Sequence, residues 1–94
     1  MKVRWTGPAV EQLQGIFEYI AADQAEAALR IVRRIRASIL RAVQLPNSGR
    51  VGRVKGTREI AVPGTPYLVA YRVAGESIHV LAILHGAQAW PQSL

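Results

Sequence analysis

The densest group of side chains able to do chemistry is Arg50, Arg53, Lys55 and Arg58, spaced by Gly49, Gly52 and Gly56. Glycine-rich backbone can approach a phosphate closely and offer its own N–H groups. Guanidinium groups add bidentate contacts to phosphate or carboxylate. The spacing is not that of a P-loop, and no helix follows it directly. The same residues would also suit a solvated hairpin whose glycines only make turns, but glycine and charge together favour an anion-binding loop. A second cationic strip, Arg30, Arg33, Arg34 and Arg41, falls on one side of a helical stretch. Solvent exposure is the common reason for such a face.

Acid–base groups are few. His79 and His85 lie six apart in an apolar stretch, a spacing that predicts one shared strand face with Leu81 and Ile83 between them. Two histidines without a third ligand argue against a metal site. His85 closes its strand, where it can act as a general acid or base or simply hydrogen-bond at the sheet edge. His79 reads as structural. Glu59 follows Arg58 and is either a general base or, more commonly for such a neighbour, half of an ion pair. Tyr67, Tyr71 and Trp90 offer rings on which bases could stack, although Tyr67 and Tyr71 sit in an apolar strand and read as core. No Ser/His/Asp order or paired carboxylates emerge. The absence of cysteine removes disulfides, thiolate metal sites and a cysteine nucleophile. No metal or cofactor is expected.

The elements that must position these groups follow from hydrophobic periodicity. Lys2 to Trp5 alternates as a short strand with Val3 and Trp5 inward. Thr6 is a natural N-cap and Pro8 suits a first helical turn. Val10, Leu13, Ile16, Phe17, Ile20 and Ala21 then make an apolar stripe, ending near Ala22-Asp23. A second helix runs from about Gln24 to Gln44 or Leu45, with Ala28, Val32, Ile35, Ile39 and Val43 inward, and Pro46-Asn47-Ser48-Gly49 stops it. So short a link makes the two helices antiparallel. Strands are predicted over Thr57–Val62, Tyr67–Val73 and Ile78–Leu84. Pro63-Gly64-Thr65-Pro66 turns between the first two, and Ala74-Gly75-Glu76 is of hairpin length. Ala87 to Trp90 reads as a short terminal helix or arm. The fold class is α+β: an N-terminal strand and an antiparallel helical hairpin packed on a small, mostly antiparallel twisted sheet, as one domain over residues 1–94.

Twelve Lys and Arg, ten of them Arg, against six acids give a net charge of +6, which points to an anionic partner. Half of the 94 residues are hydrophobic, so a chain this short can leave apolar surface for a partner. No segment has the length of a membrane span, and the N-terminus has no signal-peptide pattern, so a soluble cytoplasmic protein without a membrane partner is expected.

Gly56-Thr57-Arg58-Glu59, Pro66-Tyr67 leading into Tyr71-Arg72-Val73, and Leu84-His85-Gly86 followed by Trp90 give the chain a resemblance to the RelE/ParE family of type II toxin–antitoxin systems, nearest its ParE branch. The resemblance covers nearly the whole chain. It implies a toxin neutralised by a cognate antitoxin. ParE-like members poison DNA gyrase without being nucleases, whereas RelE-like members cut mRNA on ribosomes. The nuclease branch carries a catalytic Arg three residues before the Tyr that Tyr71 resembles, and this chain has Leu68 there. On the gyrase reading there is no catalytic residue, and Arg50, Arg53, Lys55, Arg58, Arg72, His85 and Trp90 bind the target. On the nuclease reading His85, Glu59 and Arg72 would carry catalysis. On either, Arg30, Arg33, Arg34 and Arg41 would face the antitoxin. A non-toxic adaptor or nucleic-acid-binding domain of the same fold is the further alternative.

Overall fold

A computed structural model describes residues 1–94. Strand β1 (Lys2–Trp5) leads into helices α1 (Gly7–Ala21) and α2 (Ala25–Gln44), then strands β2 (Arg50–Val51), β3 (Arg58–Ala61), β4 (Tyr67–Ala74) and β5 (Ser77–His85). The sheet order is β1-β5-β4-β3-β2. β1 runs parallel to β5, and the remaining pairs are antiparallel. Thr6 caps α1 as its sequence foretells, its hydroxyl accepting from the Ala9 N–H at 3.4 Å, and the same oxygen donates to Val80 O at 2.9 Å. One residue thus starts the helix and ties it to β5.

The helical hairpin covers one face of the sheet. Ile35, Ile39 and Ala42 of α2 and Ala9 of α1 bury against Val69, Tyr71, Ile78, Val80 and Ile83. Val32 and Val43 are only half-buried, and Val10 stays 47% exposed, so the predicted stripes lie partly outside the core. The other sheet face has its own small cluster, Ala70, Ala82 and Leu84, covered by Trp90 and Leu94. Residues after His85 therefore form an arm, not a helix, and it folds back over the sheet.

A bulge in β5 changes which residues share a face. Ala70 pairs with Ala82 but Tyr71 pairs with Val80, leaving Leu81 as the extra residue. Ile78 and Val80 face the helices before the bulge; Ile83 does so after it. The alternation is shifted by one position. His79 and His85, expected on one face, consequently lie on opposite faces.

Tyr71 is fully buried and joins the sheet to the loop after α2. Its hydroxyl donates to Pro46 O at 2.8 Å and accepts from the Gly49 N–H at 3.0 Å. Tyr71→Phe would leave the buried Gly49 N–H unpartnered, so a loss of about 1–2 kcal/mol is expected. Equilibrium urea unfolding measures it, and an unchanged midpoint would contradict this role.

Candidate functional site

The basic segment is held, not loose. A Cβ on Gly49 would lie 2.5 Å from the Tyr71 hydroxyl, and one on Gly52 would run into the Thr57 hydroxyl. These two glycines are there for close packing of the chain on itself. Gly56 differs: its φ of +80° favours glycine at the loop tip. The Thr57 hydroxyl donates to Val54 O at 2.6 Å, and the Gly52 N–H donates to Thr57 O at 2.8 Å, closing the loop. Arg50 and Val51 pair with β3 as a short edge strand that the glycine pattern conceals.

Glu59 organises this loop from below. Its side chain is 0% exposed and accepts from Arg50 Nη2 at 2.9 Å and the Arg53 N–H at 2.7 Å, with Arg53 Nε 3.7 Å away. The neighbouring Arg58 is not its partner. Adjacent strand residues point to opposite faces, so Arg58 turns towards the helix side and donates to Gly49 O at 2.8 Å. Glu59 instead meets Arg50, its cross-strand neighbour.

On the sheet face away from the helices, Arg53 stacks over the Trp90 ring at 4.0 Å. Arg72 Nε leans to Gly56 O at 3.4 Å, placing the loop tip with exposed Lys55 beside it. Arg50, Arg53, Lys55, Arg72 and Trp90 therefore converge on one surface. Sequence reasoning passed over Arg4, which extends this face: Arg4, His79 and Arg72 are aligned in register across β1, β5 and β4. Strand alternation from Val3 and Trp5 was the signal that pointed to it.

Arg58 and His85 do not join that surface. His85 lies on the helix side, its ring edge-on to Tyr67 with centroids 5.8 Å apart. Its Nδ1 accepts from the Ala87 N–H at 3.1 Å. A backbone N–H can only donate, so the neutral ring carries its proton on Nε2. Its Nε2–H makes no hydrogen bond within the chain.

On α2, Arg34 reaches Gly64 O at 3.4 Å and Arg41 reaches the Ser38 hydroxyl at 3.0 Å, while Arg30 and Arg33 are exposed. Arg36, which sequence reasoning also passed over, borders an apolar groove formed by Val3, Trp5, Val10, Leu13 and Leu40. Leu40 at the groove is 60% exposed. No group of three or more His, Cys, Asp or Glu is placed to hold a metal ion.

Comparison with known proteins gives this arrangement its setting. Residues 3–90 match the family described as the ParE toxin of the type II toxin–antitoxin system parDE. The chain belongs to the ParE toxin family. A Sinorhizobium fredii protein named as a toxin, Y4kP, is 39% identical over 93 residues, covering 99% of this chain and 96% of the relative. The toxin RelE2 of Caulobacter vibrioides is 30% identical over 87 residues, covering 93% and 97%. A solved structure described as the chromosomal ParDE toxin–antitoxin system from P. aeruginosa superposes with a TM-score of 0.81 at 30% identity, covering 90% of this chain and 95% of that one. The fold is that of the RelE/ParE toxins, and this ParE-family chain is the toxin component of a type II toxin–antitoxin pair. No helix is long and apolar enough to cross a membrane.

Proposed function

We propose that this toxin acts by binding and inhibiting DNA gyrase, and that it does not cut mRNA. The observation that carries the reading is the separation of Glu59 and His85. In-line attack by a ribose hydroxyl needs a base and an acid flanking one phosphate. Glu59 lies on one sheet face with both carboxylate oxygens engaged and no exposed side-chain surface. His85 lies on the other and offers Nε2–H. Leu68, opposite Leu84 on the cationic face, adds no charge where the nuclease branch places an arginine.

What the cationic face retains is the means to bind. Arg50, Arg53, Lys55 and Arg72, with Trp90, present charge and an aromatic ring on one surface. Arg50 and Arg53 are already positioned there by Glu59, and Arg53 by Trp90, which lowers the cost of ordering on contact. The antitoxin would cover the helical hairpin, where Arg33 and Arg36 border exposed apolar side chains, Arg30 is exposed, and Arg34 and Arg41 are already held by the chain itself.

Induction in a host lacking the antitoxin tests the target. A DNA-damage response with intact messages is expected. Codon-positioned mRNA cleavage without DNA breaks would replace this reading with the ribosome-dependent nuclease.

A further inference from the structure

Away from the cationic face, a cleft of about 290 Å³ opens between α1, the start of β4 and the end of β5. Its polar groups are oriented by backbone N–H groups. Gln12 Oε1 accepts from the Ile83 N–H at 2.8 Å, and Gln88 Oε1 accepts from the His85 N–H at 2.7 Å. His85 Nδ1 is likewise occupied by the Ala87 N–H. Both amide oxygens thus face the strand edge left unpaired beyond the end of β1, and the imidazole Nδ1 faces the turn that follows β5. The amide NH₂ groups of Gln12 and Gln88 and the Nε2–H of His85 make no hydrogen bond within the chain.

We propose that this cleft binds a carboxylate side chain presented by an acidic peptide segment of a protein partner. Three unpaired donor groups, on side chains whose acceptor atoms are already turned to backbone N–H groups, match a group that only accepts. Neither Lys nor Arg lines the cleft, which disfavours phosphate; the guanidinium groups of Arg50, Arg53 and Arg72 that suit phosphate lie on the opposite face of the sheet. A nucleobase would present donors that find few acceptors here. The surrounding chain has a net charge of +6, so an acidic segment is drawn to it at long range.

The walls suit a peptide. Ile16 and Ile83 give an apolar floor for side-chain methylenes, and the edge-on Tyr67 ring fixes the imidazole. Tyr19 stands at the mouth 82% exposed, a ring that the fold itself does not use. Gly15 sits inside α1, where glycine weakens a helix. A Cβ there would meet nothing within 4 Å. Its lack of a side chain keeps the mouth open rather than serving the packing. The site is independent of which large target the toxin acts on.

The test uses the whole protein, labelled with ¹⁵N, titrated with the capped tripeptide Ac-Ala-Glu-Ala-NH₂ and with its neutral isostere Ac-Ala-Gln-Ala-NH₂. Saturable shifts of the Gln12 and Gln88 side-chain amides and the His85 Nε2–H are expected with the Glu peptide. The Gln peptide should bind about fivefold or more weakly, since the charge-assisted bonds are lost. His85→Phe keeps the ring and removes its donor, and should weaken the Glu peptide by a similar factor. Gly15→Leu should abolish those shifts by filling the mouth, with the backbone spectrum elsewhere unchanged. Equal binding of the two peptides, no saturable shift at these groups, or stronger shifts with inorganic phosphate or uridine would overturn the proposal.

Discussion

Replacing Lys55 and Arg72 together by alanine should weaken the hold on the toxin's target by about two to four orders of magnitude. Each charge-assisted contact is worth roughly 1.5–3 kcal/mol, and every 1.4 kcal/mol is tenfold. These two are the clean choice because neither is in an ion pair. Arg50 and Arg53 also steady Glu59, so removing them would mix lost contacts with a disturbed loop. Arg72 gives up only a long contact to Gly56 O, and Lys55 is exposed at the loop tip. The variant should therefore melt within a few degrees of the parent. The paired control is Arg30→Ala with Arg33→Ala on α2. Growth arrest that survives the loop change but disappears with the helix change would move the target surface to the hairpin.

Glu59→Ala should cost about 2–4 kcal/mol of stability, which in a domain of this size lowers Tm by roughly 10–25 °C. The carboxylate is fully buried while its arginine partners are 63% and 45% exposed. Those guanidinium groups can return to water. The Arg53 N–H loses its acceptor, and a void opens beside Ala70, the cross-strand partner of Glu59. Glu59→Gln keeps one acceptor and should cost about half as much. Calorimetry on the two variants separates them. A Glu59→Ala protein that melts with the parent would mean that the carboxylate does not hold the loop.

Much of the frame is legible because local rules and the fold agree. Thr6 followed by Pro8 marks the start of α1, Pro46 to Gly49 ends α2, and Pro63 to Pro66 allows only a turn. Alternation in Arg58 to Ala61 also puts Glu59 and Ile60 on opposite faces, as found. What escaped reading depends on contacts distant in sequence. The bulge at Leu81 has no glycine or proline to announce it; it shows only in the register of β5 against β4. That single extra residue separates His85 from His79. The partner of Glu59 is set by pairing across β2 and β3, so nearness to Arg58 in sequence misleads. Gly49 and Gly52 resemble the flexible spacing of an anion loop, but their missing side chains make room for Tyr71 and Thr57. The placement of Trp90 over the sheet depends on Ala70 and Ala82 leaving a shallow apolar seat, which the strand pattern alone does not reveal.

The most direct test of the central claim, toxicity by binding rather than by RNA cleavage, is DNA supercoiling by purified gyrase in the presence of the purified toxin. Loss of supercoiling or accumulation of cleaved DNA, with both effects persisting in His85→Phe and reduced by the Lys55/Arg72 double substitution, is the predicted result. Undiminished supercoiling at saturating toxin, from a preparation that arrests growth when expressed, would contradict it.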